Sequence, residues 1–230
     1  MLVMNRRPET TRRTETTPHV KIYLRAPGKP DQLIDTVPTA RIREHSATID
    51  GALAAAGENA ELTKTVYLSG GAPAALDFVI HRIAGKQEGR NLHIKVHDMP
   101  LVRAAAVFEA VEVLKVRPAQ SHIEGHVVGY ISHDKVTPDE MMAVARASYP
   151  YRDTIKIYNT LVQQVAWGLV HGKYDEVEAN FLHNRSREFS EFCRAVTDRM
   201  WELKAKKNEH DARSPDHDPT PIDMSAITGA

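Results

Sequence analysis

Cysteine is all but missing from these 230 residues, and Cys193 stands alone. One thiol excludes an intramolecular disulfide and any zinc module built from cysteines, and it points to a reducing compartment, cytoplasmic or nuclear. Net charge is missing as well, because 30 basic side chains are balanced by 30 acidic ones. No global field therefore draws the chain to nucleic acid or to an anionic membrane. No stretch approaches the roughly 18 uninterrupted apolar residues of a membrane span, and "MLVMNRRPETTRRTETT" lacks the apolar core of a secretory signal. The expectation is a soluble, unsecreted chain with no membrane partner.

What is present divides into four parts. Residues 1–17 hold almost no large apolar side chain and are expected to form a disordered arm. Arg6, Arg7, Arg12 and Arg13 could touch phosphate, but Glu9 and Glu15 interrupt them. Residues 18–148 carry the patterns of an α+β domain, a small mixed sheet capped by helices. Residues 149–203 read as a helical extension, and 204–230, polar and proline-containing, as a disordered tail.

Within the second part, "HVKIYLRAPGKPDQLIDTVP" alternates Val20, Ile22 and Leu24, turns at Pro27-Gly28 and resumes with Leu33, Ile34 and Val37. This predicts two strands joined by a turn. "TARIREHSATIDGALAAAG" predicts one helix, with Thr39 as its cap and Gly57 as its stop. "KTVYLSGGAPAALDFVIHRIAG" predicts a strand, a glycine turn and a helix ending at Gly85. "NLHIKV" alternates like a further strand, and "MPLVRAAAVFEAVEVLKV" is apolar around most of its circumference, as a buried helix is. Leu101, Ala105, Phe108, Val111, Val113 and Leu114 are expected at the core, with Pro118 closing the helix. Thr137, Pro138 and Asp139-Glu140 mark a further helix start. In the extension, Ile155, Tyr158, Val162, Val165 and Leu169 form one apolar stripe. Phe189, Phe192, Cys193, Val196, Met200 and Leu203 form another, with a bend at "HGKYDEVEAN" between them.

The segment with the most chemistry in it is "HIEGHVVGYI", His122 to Ile131. Two histidines at i and i+4 can share a metal, and a protease helix adds a glutamate directly after the first histidine. Here the glutamate is one place late. At about 100° per residue, Glu124 points roughly 200° from His122, away from any metal the pair would hold. A catalytic zinc also needs a third protein ligand, and His93, His97 and His133 cannot be given that role from spacing. Ile123, Val127, Tyr130 and Ile131 instead form an apolar stripe, which predicts a packing helix.

The remaining reactive-looking residues have plainer readings. "YLSGGAP" could cradle a phosphate, but it lacks the lysine and hydroxyl of a P-loop and the third glycine of a dinucleotide fingerprint. Ser46 lies beside His45 without a nucleophile elbow, and Cys193 lies on an apolar helix face. The acidic groups Asp98, Glu109 and Glu112, like Asp134, Asp139 and Glu140, suit helix starts or solvated faces. No catalytic, cofactor-binding or metal residue is assigned, and no cofactor is expected.

Three segments resemble a BTB (POZ) domain of the divergent kind found in filamentous fungi. "TARIREHSATIDGAL" is similar to the family's leucine-x3-serine-x2-phenylalanine helix, with Ile42, Ser46 and Ile49 in those places. "VYLSGGAPAALDFVIHRIAG" resembles its strand, turn and helix, and "AVEVLKVRPAQSHIEGHVVGYISHDKVTPDEMMAV" its run from the buried helix into those that follow. The resemblance covers about residues 18–148 and implies a non-enzymatic adaptor that binds proteins and can form a homodimer. Many members recruit a cullin ubiquitin ligase through a hydrophobic-x-glutamate. Here Lys86 stands two places before Glu88, and that mismatch argues against cullin binding. The alternatives are a histidine-based zinc protein or metallohydrolase using His122 and His126, and a nuclear regulator whose arginine arm binds nucleic acid.

Overall fold

The computed structural model describes residues 18–56, 63–86, 91–185 and 189–213, and within them the protein is α+β. The expected arm at 1–17, the stop at Gly57, Glu88 and residues 214–230 of the expected tail lie outside the described residues. The described residues fall into two compact units, one within 18–99 with 106–123, and the other within 100–105 with 124–213.

The first unit is built on a three-stranded sheet of order β2-β1-β3. Strand β1 (His19–Leu24) pairs antiparallel with β2 (Gln32–Pro38) and parallel with β3 (Thr63–Leu68). The expected hairpin is present, and Gly28 supplies its left-handed residue with φ of 72°. Val20, Ile22, Val37, Val66 and Leu68 are buried on one face of the sheet. Each removes from water an apolar side chain worth about 1.5–3 kcal/mol. On the opposite face Tyr23 and Tyr67 stand side by side, ring centroids 5.6 Å apart, with Tyr67 about half exposed. Between Ile22 and Tyr23 the register slips, Ile22 facing Asp35 and Tyr23 facing Leu33, so Ile34 is the extra residue of a bulge.

The single helix expected after β2 is two helices. Helix α1 (Thr39–His45) stops at Ser46, which is extended, and α2 (Ala47–Ala55) starts again after it. Ser46 is fully buried; its Oγ donates to the Leu114 carbonyl at 2.8 Å and accepts from the Ile49 amide at 3.2 Å. Tertiary contact thus breaks a helix that periodicity alone runs straight through. Thr39 is the first residue of α1, after Pro38 at the cap position, and its buried Oγ1 has no hydrogen-bond partner among the described residues.

Helix α3 (Pro73–Ala84) has its proline in the first turn, Gly85 at its end and Leu76, Val79, Ile80 and Ile83 buried. It packs along β2 and α1. The expected strand at 91–96 has the right alternation, Leu92, Ile94 and Val96 being buried, but it joins no ladder among the described residues. A side chain replaces the missing neighbour: Gln120 accepts from the Ile94 amide and donates to the Leu92 and Pro118 carbonyls. Helix α4 (Leu101–Leu114) buries the expected core residues, except that Val113 is half-buried. It ends at Leu114, before Pro118, and Lys115, with φ of 47°, turns the chain.

Helix α5 (Ser121–His133) follows, with Ile123, Val127 and Ile131 buried and Tyr130 half-buried. In the second unit α6 (Pro138–Ser148) begins with a full capping box between Thr137 and Glu140, as expected. Helix α7 (Lys156–Val170) buries Ile157, Tyr158, Leu161 and Val165. The expected stripe is therefore rotated, because Ile155 is the cap residue and Val162 is only half-buried. The expected bend at 171–180 is confined to 171–175: Asp175 Oδ1 accepts the Glu178 amide at 2.8 Å and starts α8 (Glu176–Arg185) within it, and α9 (Ser190–Arg213) packs on α7. Helix α9 runs through residues 204–213, which the polar composition assigns to the tail. Its lysines, glutamate and alanine are good helix formers, and residues 204–210 are exposed, so this stretch needs no buried face.

Candidate functional site

The two histidines of α5 have different surroundings. His122 donates Nε2–H to the Ile94 carbonyl at 2.8 Å, and its ring stacks on His93 with centroids 4.2 Å apart. That bond occupies one of the two ring nitrogens in holding the 91–96 segment. His126 has a buried Nε2 without a hydrogen-bond partner among the described residues. Neither histidine belongs to a group of three ligand-type side chains among those residues.

Glu124, the residue one place out of register for a protease, has a different task. Its Oε1 accepts the Lys156 amide at 2.8 Å, at the first turn of α7. The cap residue of α7, Ile155, has no side-chain oxygen, so a carboxylate from another helix satisfies one of the orphan amides and meets the positive end of the dipole.

The glycine turn after β3 is filled from within. Gly70 and Gly71 have φ of 87° and 84°, and the Gly71 amide donates to Glu109 Oε1 at 3.3 Å. A carboxylate on α4 stands where an anion would be held. Partial burial raises the Glu109 carboxyl above its usual range, and the Gly71 amide opposes that rise. A side chain at position 71 would also meet Leu76 at 3.2 Å.

His45 is buried at the end of α1, with Nδ1–H donated to the Arg117 carbonyl at 2.8 Å. Its Nε2 accepts from Lys86 Nζ at 2.9 Å, and Lys86 also donates to Glu44 at 3.2 Å. This hydrogen bond from Lys86, with the charges around it, holds the Glu44 carboxyl below its usual range. Lys86 is thus engaged with α1. Ser46 Oγ is committed to Leu114 and Ile49, and the two nitrogens of this ring to Arg117 and Lys86.

The second unit carries an open apolar groove. Phe192 and Val196 of α9 are buried, while Cys193 and Met200 are half-buried. With Val165 and Leu169 of α7 and Trp201 of α9 they line a groove of about 520 Å³. Trp201 is 66 % exposed, and Trp167 on α7 is 42 % exposed, stacked on His171. These are the only two tryptophans in the chain. Beneath the groove an aromatic seam holds the helices together. Tyr158 lies 5.5 Å from Tyr149 and 6.1 Å from Phe192, and burial pushes its hydroxyl up to about 12.

The sequence pattern correctly placed Cys193 on an apolar helix face but gave no sign of the groove. A tryptophan in a polar stretch, "DRMWELK", was the one signal for it. No helix among the described residues is long and apolar enough to cross a membrane. No family model matches the chain, and neither a curated protein nor a solved structure matches it.

Proposed function

We propose that this protein is a protein-interaction adaptor with a BTB-like domain over residues 18–148, acting through surfaces rather than through chemistry. The observation that carries this reading is the α7–α9 groove with Trp201 at its rim. Tryptophan supplies a large rigid contact area and is enriched among the residues that dominate binding energy. Leaving one 66 % exposed costs hydration free energy that a partner would recover. A groove between two helices suits an amphipathic helix that sets apolar side chains at i, i+3 and i+4 into it. The α+β architecture and the BTB-like segments support the same reading, and self-association through such a surface is its simplest form.

The test is a photo-crosslinking amino acid at position 204, whose side chain borders the groove, with crosslinked peptides identified by mass spectrometry. Crosslinks to one recurring apolar helical segment, abolished by Trp201→Ala, are the expected outcome. If that segment belongs to the same chain, light scattering should show a dimer that Trp201→Ala dissociates. Crosslinks only to scattered, unrelated segments, unchanged by Trp201→Ala, would overturn the reading.

A further inference from the structure

Gln32, Asp35 and Lys64 break the apolar pattern of the sheet's buried face, and Asp35 is the acidic one. Asp35 lies directly opposite Ile22, on the face where Val20, Ile22, Val37 and Val66 are buried, and the alternation there calls for an apolar side chain. The bulge at Ile34 sits immediately beside it, and bulges are a recurrent device for re-aiming a side chain next to a site. The Asp35 carboxylate is fixed on one side, where Oδ1 accepts the Thr36 amide at 2.6 Å. Its other oxygen, Oδ2, faces His81 Nδ1 at 3.4 Å.

His81 belongs to α3, and Asp77 precedes it by four residues, so the two share one flank of that helix. One ligand atom from each of Asp35, Asp77 and His81 can be chosen so that all three lie within 4.8 Å of one another. No other trio of histidine, cysteine, aspartate or glutamate among the described residues meets that condition. A cation bound at about 2.0–2.2 Å to three tetrahedral donors would set them about 3.4 Å apart. The Asp35–His81 pair already has that separation. Asp77 and His81 are exposed, so side-chain rotation alone can close the rest.

We propose that Asp35, Asp77 and His81 form a divalent-cation site, taken by zinc, with water in the remaining position. One imidazole nitrogen with two carboxylate oxygens is a borderline donor set. It suits zinc over magnesium or calcium, which prefer oxygen alone. Two carboxylates match the charge of the ion. Because Asp35 comes from the edge strand β2 and the other two ligands from α3, the ion would staple the strand to the helix. The site is independent of the α7–α9 groove, and none of its residues lies in the second unit.

The test is zinc titration of the full chain against a competing chelating dye, at a pH where imidazole is neutral. One zinc per chain is expected, with affinity weakened at least tenfold by His81→Ala and by Asp77→Asn, both surface changes that leave the fold intact. His126→Ala should bind zinc like the parent, which separates this site from the α5 pair. Zinc should also raise the melting temperature of the parent and not of His81→Ala. No saturable binding, binding that changes less than twofold in His81→Ala and Asp77→Asn, or binding lost in His126→Ala would each overturn the site.

Discussion

Gln120 holds Ile94 as a neighbouring strand would: its Oε1 accepts the Ile94 amide at 3.1 Å while its Nε2 donates to the Leu92 carbonyl at 3.1 Å. One buried carboxamide supplies both halves of a ladder rung to a segment that has no strand partner among the described residues. Gln120→Ala removes these bonds and leaves buried backbone groups unpaired, which costs about 2–3 kcal/mol. Urea unfolding should show that loss, and amide exchange at Ile94 should accelerate. Gln120→Glu should cost more, since an ionised carboxylate cannot donate to the Leu92 and Pro118 carbonyls.

Glu124 caps a helix to which it does not belong. Glu124→Ala frees the Lys156 amide and should destabilise the protein by about 1 kcal/mol, the usual value of a lost cap. Amide exchange at Lys156 should rise selectively. A catalytic role would predict an unchanged fold instead, so equal stability of parent and variant would contradict the assignment.

Gly168 is buried in α7, and a Cβ there would lie 2.5 Å from Tyr174 Cε2. Tyr174 is itself buried, and burial pushes its hydroxyl up to about 12. Gly168→Ala should therefore cost about 1–3 kcal/mol through overpacking, although alanine favours a helix by about 1 kcal/mol. Adding Tyr174→Leu removes the ring in the way. A double-mutant cycle by denaturant unfolding should return a coupling energy of at least about 1 kcal/mol.

Glu109 makes stability depend on pH. Burial raises its carboxyl above the ordinary value of 4.5 in the folded state. A group raised in this way contributes its stabilisation fully below the unfolded value, and the contribution is lost as pH rises through the folded value. Glu109→Gln keeps an acceptor for the Gly71 amide and does not ionise. Its stability relative to the parent should therefore grow as pH rises from 4 to 7. Unfolding curves across that range check it, and a difference flat with pH contradicts it.

Motifs of local origin were legible. The capping box at Thr137 and Glu140, the hairpin around Gly28 and the helix from Pro73 to Gly85 each depend on residues a few places apart, whose preferred backbone angles and nearby hydrogen bonds settle the outcome. The burial alternation at 91–96 was legible too, though its reading as a strand was not right, since alternation reports which side faces the core and says nothing of a neighbour. Helix geometry alone was also enough to remove Glu124 from the histidine face.

The sequence by itself determined the α+β class, most element positions and the absence of a protease motif in α5, because periodicity and turn chemistry are properties of the local chain. Only the tertiary structure decided that Ser46 splits a helix, that Glu124 caps α7, that Glu109 fills the glycine turn and that Asp35 meets Asp77 and His81. Each of these joins side chains from distant segments, and the sheet register, the bulge at Ile34 and the packing of helices bring them together. The exposure of Trp201 belongs to the same group, since which face of α9 stays open depends on what α7 covers.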